Sequence, residues 1–600
     1  MDSNLPDPQR GHLHAADDKI KSLEEYAQKL KLYRNSLVPI FGLPTEILSI
    51  IFSLLPSVVF AVSSQSFLVS PITHVCHRWR EIALNLPDHW SHINFDQLTP
   101  AGSAEMLARA KMSPLQLEAF PKRWVLSCEF RAFEGQIKAH IHHTRHLTIA
   151  DKPDRLEGVL RRLVSSAPIL EQLTIACIDY TKERLVIPDN LFGRITPKLV
   201  HLHLNACVIG WESPLLKGLR ELKLTSFPLQ ERTILKTCLK GLSQMPRLER
   251  LTLHNLNGVP INLMIRQPRF TVVLSSLTDL DIASHVRDCV LLLSRLKLPA
   301  LTRLRVNAVP FQPDNVYMLK LIPYVARNAH GPQDTEALQS LFIGKDETHT
   351  SRAGIVAWTR PRGDTDSGLG RTVDLSDGPR LARVAFSTVV RWDRPPEVYT
   401  QVHDALLTAL PLNSITSLTV DGYTLLNRQL WRSHAPRWLE LERIRLFSTA
   451  VPAFREMLED APPGGQLLPS LEELVLVDVF LNAQRVYYLY DMLIELVELE
   501  IPIRTLDLRL CTVTNRAVKL LGEIVVDVKG PLKTPRKFGF EWIDFVGEEA
   551  GEKEGSDEED QEKAHGFNDV PPFLGSWNIV DDEDDGKNDD AGRCAYGAVH

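Results

Sequence analysis

The most regular feature of the chain is a phrase of three apolar positions, apolar-x-x-apolar-x-apolar, that recurs from about residue 144 to residue 511. We call the middle apolar residue of each copy its anchor. Alternation of this kind predicts a β-strand with one buried face, and helical periodicity between several anchors predicts connecting helices. The anchors are Leu147, Leu173, Leu202, Leu222, Leu251, Leu280, Leu304, Leu341, Val384, Leu418, Ile444, Leu474 and Leu506.

A second pattern sets the phase of these repeats independently. A proline stands two residues before the opening apolar position in six copies, where it ends the preceding segment without breaking a strand: Pro168, Pro197, Pro246, Pro299, Pro379 and Pro469. Phrase and spacing resemble the leucine-rich repeat, whose period is about 20–29 residues. The resemblance implies an irregular α/β solenoid over residues 96–545, with one strand and one helix in each repeat. A doubly wound α/β domain is the alternative fold.

The chain before the repeats is predicted to be helical. Residues 1–16 are polar and predict disorder, and residues 17–37 predict a charged helix with Ile20, Leu23 and Leu30 at heptad-like spacing. Two to three heptads with Arg34 at one seam position are too few for an independent coiled coil. We therefore expect this helix to dock on the domain that follows.

Residues 38–95 predict a small all-α module. Pro44 suits the first turn of a helix that is apolar on nearly every side up to Leu55, so it needs partners on more than one side. A second helix is predicted from about Pro71 to Asn85. The segments Leu-Pro-Thr-Glu-Ile-Leu at 43–48 and Val-Cys-His-Arg-Trp at 75–79, with a later tryptophan at 90, resemble the F-box.

This resemblance implies a partner and a contact surface. F-box proteins dock on the small adaptor subunit of a cullin–RING ubiquitin ligase, while a C-terminal repeat domain selects the substrate. The contact residues that the resemblance implies are Leu43, Pro44, Ile47, Leu48, Ile51, Phe52 and Leu55 from the first helix, and Val75, Cys76 and Trp79 from the second.

The residues directly before and after each anchor are expected to project from the strands onto the concave face of the solenoid, where a target protein would bind. The positions selected there are His201, His203, Arg250, Arg303, Arg305, Arg383, Arg443 and Arg445. Their arginines predict a basic middle suited to an acidic or phosphorylated target.

Charge divides the chain into a body and a tail. Residues 548–590 hold 17 acids and 3 lysines, or −14, so the rest of the chain carries −7 + 14 = +7. Dense acid with few aromatic residues predicts a disordered tail over residues 546–600. That tail either covers the basic face in competition with the target or serves only solubility.

No residue pattern predicts catalysis, a metal site or a cofactor. The sequence contains no GxSxG, HExxH or phosphate-binding glycine motif, and its eight cysteines form no CxxC pair. The histidines at 140–146 have no nearby carboxylate or cysteine to complete a metal site. The polar start of the chain predicts no signal peptide, and no stretch is apolar enough to span a membrane, so we expect a cytoplasmic and/or nuclear protein.

Together these patterns predict an α+β protein: an F-box-like all-α module, an irregular leucine-rich-repeat-like solenoid and an acidic disordered tail. The predicted function is a non-enzymatic substrate adaptor of a ubiquitin ligase. A repeat scaffold unrelated to ubiquitin, whose F-box-like helices cap the solenoid, is the alternative. Nucleic-acid binding is less favoured because the arginines alternate with acids.

Overall fold

A computed structural model gives the architecture of the 600-residue chain. By contact the chain divides into two units, Met1–Asp334 and Thr335–His600. The structure describes residues 7–54, 60–61, 68–69, 71–119, 127–178, 185–226, 234–254, 270–309, 315–329, 337–345, 352–360, 383–389, 397–422, 426–461, 467–501 and 503–530. The predicted tail at 546–600 and Leu55 lie outside these residues.

The first unit joins a helical module to a parallel sheet. Its helices are α1 (Asp7–Ser36), α2 (Thr45–Leu54), α3 (His77–Leu84), α4 (Pro100–Ala110), α5 (Ser127–His140), α6 (Pro153–Arg162), α7 (Ile234–Ser243), α8 (Val286–Leu293) and α9 (Asn315–Ala329). Its strands are β1 (Phe60–Ala61), β2 (Leu68–Val69), β3 (His92–Asn94), β4 (Leu115–Ala119), β5 (Thr144–Asp151), β6 (Gln172–Cys177), β7 (Leu185–Val186), β8 (His201–Asn205), β9 (Cys207–Val208), β10 (Glu221–Thr225), β11 (Arg250–His254), β12 (Val272–Val273), β13 (Asp279–His285), β14 (Leu296–Lys297) and β15 (Arg303–Val309).

The long sheet of this unit is parallel and follows the order of the sequence. Strands β3, β4, β5, β6, β8, β10, β11, β13 and β15 are hydrogen-bonded neighbours. The predicted anchors form one row across it: Leu202 lies opposite Leu173 on one side and Leu222 on the other. The row also begins earlier than the phrase predicts, because Ile93 and Leu117 occupy it in β3 and β4.

The core of the sheet lies on the anchor face. In β8 the anchor Leu202 is fully buried while the flanking His201 and His203 are half-buried. α6 packs on β5, and α8 packs on β13. The connection from β8 to β10 has no α-helix and contains β9 and a 3-10 turn at Pro214–Leu216, and the described part of the connection from β6 to β8 likewise contains β7 and a 3-10 turn at Leu191–Arg194. The prediction of one helix per repeat is therefore wrong at these two positions.

The second unit contains a mixed sheet. Its helices are α10 (Glu397–Ala409), α11 (Arg428–His434), α12 (Val451–Glu459), α13 (Ala483–Glu498) and α14 (Asn515–Leu521), and its strands are β16 (Ser340–Lys345), β17 (Arg352–Trp358), β18 (Val384–Val389), β19 (Ser417–Val420), β20 (Arg443–Phe447), β21 (Glu473–Phe480), β22 (Thr505–Thr512) and β23 (Asp527–Lys529). Strands β16, β19, β20, β21, β22 and β23 are parallel neighbours in that order.

The anchor at Val384 does not continue this row as predicted. β17 pairs antiparallel with both β16 and β18, and Leu341 lies directly opposite Leu418. Parallel and antiparallel strands can carry the same pattern of apolar residues, so the pattern does not predict the antiparallel strand β17 between β16 and β18. At Gly354 in β17 a Cβ atom would clash with the backbone oxygen of Phe386, so only glycine allows this close pairing of β17 with β18.

Two predictions for the helical module need correction. α1 begins at Asp7, so residues 7–16 are helical rather than disordered, and its described side chains are exposed rather than docked, apart from a half-buried Asn35. The second predicted helix is divided into a 3-10 turn at Pro71–His74 and α3. The break lies at Cys76, whose extended backbone places its sulfur to accept a hydrogen bond from the amide of Trp79.

Candidate binding surfaces

The helical module has a core of its own. Leu48 and Phe52, one turn apart on α2, are fully buried against Ile72, Ile82 and Ala83. The Phe52 ring meets the indole of Trp79 on α3 edge to face, with centroids 4.9 Å apart. This packing accounts for one face of α2.

Arg78 of α3 fixes the entry to α2. Its guanidinium donates hydrogen bonds to the backbone oxygen of Phe41 and, at 2.6 Å, to that of Leu43, and it lies 5.4 Å from the centre of the Phe41 ring. Charge-assisted bonds of this kind are about twice as strong as neutral ones. The segment that leads into α2 is thus bonded to α3.

The opposite face of α2 is apolar and exposed. Ile47, Ile50 and Leu54, which we call the α2 stripe, are 42%, 57% and 78% exposed. They lie at i, i+3 and i+7, so they share one side of the helix. Val75 and Pro44 of the same module are also exposed. An apolar helix face left in water in this way marks an interaction surface.

The contact residues implied by the F-box resemblance divide into groups. Those exposed in the structure are Pro44, Ile47 and Val75; those half-buried are Leu43, Ile51, Cys76 and Trp79; those buried in the core are Leu48 and Phe52. Leu48 and Phe52 are therefore wrong as direct contacts, because they hold α2 on α3. The sequence reading missed Ile50 and Leu54. The i, i+3, i+7 spacing could have found them, but a helix that is apolar on nearly every side does not reveal which side stays uncovered.

The second surface is the face of the parallel sheet opposite the anchors. Because neighbouring strands are in register and about 4.8 Å apart, residues from repeats 20 to 30 positions apart become direct neighbours. His201 of β8 lies beside Glu221 of β10, which lies beside Arg250 of β11. Asp279 of β13 and Arg303 of β15 continue the same row.

Glu221 is the centre of one cluster on this sheet face. Its carboxylate accepts hydrogen bonds from His203 Nε2 at 2.9 Å and from Arg250 Nη2 at 2.6 Å, and His201 Nδ1 lies 3.2 Å away. The hydrogen bond from His203, followed by that from Arg250, lowers the pKa of Glu221 to about 2 although burial opposes this. Glu221 is thus firmly ionised and ties three strands together.

The arginines of the next strands are paired in the same way. Arg303 is bonded to Asp279, and Arg305 Nη1 donates to Asp281 Oδ2 at 3.1 Å. In the second unit Arg443 of β20 is bonded to Glu473 of β21. Arg445 is half-buried on β20.

The predicted basic middle is therefore wrong. In strands β10 to β15 the charged residues directly before and after each anchor are four cations and three anions, which gives a net charge of +1. The cations are Lys223, Arg250, Arg303 and Arg305, and the anions are Glu221, Asp279 and Asp281. Arg383 is not on an open face, since it is only 5% exposed. The physical reason is register, because Arg250, Arg303 and Arg305 each lie opposite a carboxylate on a neighbouring strand. The face is polar and nearly neutral.

Histidines of the 140–146 cluster contact one another and the backbone of a neighbouring segment. His140 Nδ1 lies 2.9 Å from His143 Nε2, and His143 Nδ1 lies 3.0 Å from the backbone oxygen of Ser113. Among the residues that the structure describes, no group of three or more His, Cys, Asp or Glu side chains could hold a metal ion. Within the same residues, no helix has the length and apolar character to cross a membrane.

Comparison with solved structures finds a similarity to a chain of the crystal structure of the Rad7 and Elc1 complex in yeast. The alignment covers 90% of this chain and 98% of the other, at 12% sequence identity and a TM-score of 0.21. A likeness at that score carries no argument about this chain. No protein-family model and no curated protein matches the sequence.

Proposed function

We propose that this chain is a non-enzymatic substrate-recognition adaptor of a cullin–RING ubiquitin ligase. The α2 stripe binds the small adaptor subunit of the ligase, and the polar sheet face binds the target protein. Catalysis belongs to other subunits in this proposal, and the protein works in the cytoplasm and/or nucleus. The observation that carries the proposal is the exposed stripe of Ile47, Ile50 and Leu54 on a helix whose sequence resembles the opening helix of an F-box.

The geometry of the module supports this assignment. Leu48 and Phe52 fix one side of α2 and Arg78 fixes its beginning, so the stripe is presented on a rigid element. Binding an apolar helix face to a rigid surface costs little conformational entropy, because the helix is already ordered.

The sheet face supports the second half of the proposal. Its side chains alternate in charge and are held by cross-strand bonds, as at Glu221 and Asp279. Such a surface suits a folded or extended protein partner with complementary charges of both signs. It does not favour a uniformly anionic partner such as nucleic acid, which binds to clustered positive charge.

The test measures binding of the purified full chain to a purified ligase adaptor subunit by calorimetry. We expect Ile47→Asp/Ile50→Asp to weaken binding at least about tenfold, since each change places a charge in an apolar contact. Val164→Asp is the matched control, because Val164 is 46% exposed in the turn after α6 and far from α2 in sequence. Equal binding by the double variant and the wild type would refute the assignment of α2, as would absence of binding by the wild type.

A specific observation also favours the capping role. Trp90 is 1% exposed at the start of the sheet, and its indole N–H donates to the backbone oxygen of Ala83 on α3 at 2.8 Å. The turn that leads into the first strand is therefore packed on the helical module, at the end of the array where a cap is required. A capping function by itself does not explain why the α2 stripe is exposed. If the calorimetry shows no adaptor binding, the scaffold function stands in place of the adaptor function.

A further inference from the structure

Among the helices that the structure describes, α1 is the longest, and its described side chains are exposed apart from Asn35. α1 has 30 residues, about 45 Å at 1.5 Å per residue. Ile20, Leu23 and Leu30 on it are 54%, 59% and 51% exposed. Helices in proteins owe most of their stability to the packing of an apolar face, so a helix of this length in water requires a partner.

The exposed apolar residues follow a coiled-coil pattern over four heptads. Seam positions occur at alternating spacings of three and four residues, and we call them the α1 seam: Leu13, Ala16, Ile20, Leu23, Ala27, Leu30, Arg34 and, directly after the helix, Leu37. The extension of α1 back to Asp7 adds Leu13 and Ala16 to the seam. This lengthens the two to three heptads that the sequence alone predicts.

We propose that the α1 seam docks on the α1 seam of a second copy of this chain, as an antiparallel two-stranded coiled coil. The charge along the helix supports this occupant and orientation. From Asp7 to Glu25 there are five acids and three bases, or −2, and from Tyr26 to Ser36 there are three bases and no acid, or +3. Antiparallel copies bring the acidic half of each helix to the basic half of the other, and they also oppose the two helix dipoles.

One antiparallel register pairs the whole seam. It brings together seam residues whose numbers add to 50, so Ile20 contacts Leu30 of the second copy and Leu23 contacts its Ala27. Arg34 then lies over the small Ala16, beside Asp17. A parallel pair would instead stack Arg34 on Arg34, which places two like charges in the seam.

The residues that flank the seam agree with this register. Asp17 faces Lys31 of the second copy, and by symmetry the pair occurs twice. Glu24 faces its own counterpart near the two-fold axis, which is one unfavourable contact against the two favourable pairs. The balance of charges thus still favours the antiparallel arrangement.

The first experiment measures the mass of the full chain by light scattering over a range of protein concentrations. We expect a rise from 67.8 kDa toward about twice that mass. Leu23→Glu should raise the dimer dissociation constant at least about tenfold. Leu32→Glu is the matched control: Leu32 is 48% exposed on α1 but lies on the side away from the seam, so it should leave dimerisation unchanged.

A charge exchange tests the register. Asp17→Lys and Lys31→Asp should each be monomeric alone, and an equal mixture of the two should dimerise, because both pairs between positions 17 and 31 are then of opposite charge. Disulfide formation tests the orientation: Leu23→Cys chains should cross-link to differently tagged Ala27→Cys chains rather than to each other. All of these residues are exposed, so an unchanged thermal unfolding midpoint shows that each variant is folded. A monomer at all concentrations, equal disruption by Leu32→Glu, or cross-linking of Leu23→Cys to itself would overturn the proposal.

Discussion

Glu221 offers a quantitative test of the cross-strand network. Replacing it by Gln keeps its shape but removes the negative charge that His203 and Arg250 surround. The fall of its pKa from 4.5 to about 2 corresponds to about 3 kcal/mol of stabilisation at pH 7. Solvent screening at a side chain that is 21% exposed reduces this to about 2 kcal/mol.

The dependence on pH has a defined sign. Because the pKa of this carboxyl group is lower in the folded state, its stabilisation is complete above pH 4.5 and is lost as the pH falls toward 2. About a quarter of it should be gone at pH 4. The Glu221→Gln cost should therefore be smaller at pH 4 than at pH 7.

Hydrogen exchange of peptides from β8 and β10 reports the local opening free energy of these strands. The matched control is Glu249→Gln, because Glu249 forms an ion pair with Arg220 in which both side chains are more than a third exposed. Such a surface pair contributes about 0.5 kcal/mol or less. A cost for Glu221→Gln no larger than that of the control at pH 7 would refute the reasoning.

Three further predictions concern stability, each measured by urea unfolding with the wild type as reference. Burial lowers the pKa of His403 to about 4, so below pH 6.5 the unfolded chain binds a proton that the folded protein does not, and the free energy of unfolding should be about 2 kcal/mol lower at pH 5 than above pH 6.5. His403→Leu should remove this acid sensitivity, and an unchanged pH profile would contradict the prediction. Burial raises the pKa of Asp288 from 3.8 to about 6, so Asp288→Asn should stabilise the first unit by about 3 kcal/mol at pH 7.5 and by about 0.5 kcal/mol at pH 4, a gain that should be absent if the carboxylate is well solvated. Gly354→Ala should destabilise β17 and β18 by about 1–3 kcal/mol, because the added Cβ meets the backbone oxygen of Phe386; a neutral effect would show that the strands can move apart freely.

The parallel sheet was largely predictable from the sequence. The anchor phrase is a local pattern, and the in-register pairing of Leu173, Leu202 and Leu222 follows when each copy buries the same position. The antiparallel insertion at Val384 was not predictable, because strand direction depends on connections that leave no mark in the apolar phrase.

The candidate surfaces were predictable only in part. The sequence located α2 correctly, but it could not separate the buried Leu48 and Phe52 from the exposed Ile50 and Leu54, since all four are large and apolar. Only the packing of α3 against one side of the helix decides which residues remain available.

The sequence by itself determined the repeating strands, their phase and the position of the helical module, because each depends on residues close together along the chain. Tertiary structure alone decided the charge of the sheet face. Arg303 and Asp279 are 24 residues apart in sequence and become bonded neighbours only when consecutive strands align. Arginines that predict a basic groove in the sequence are therefore neutralised in the folded protein at Arg250, Arg303 and Arg305, because parallel register places a carboxylate within hydrogen-bonding distance of each.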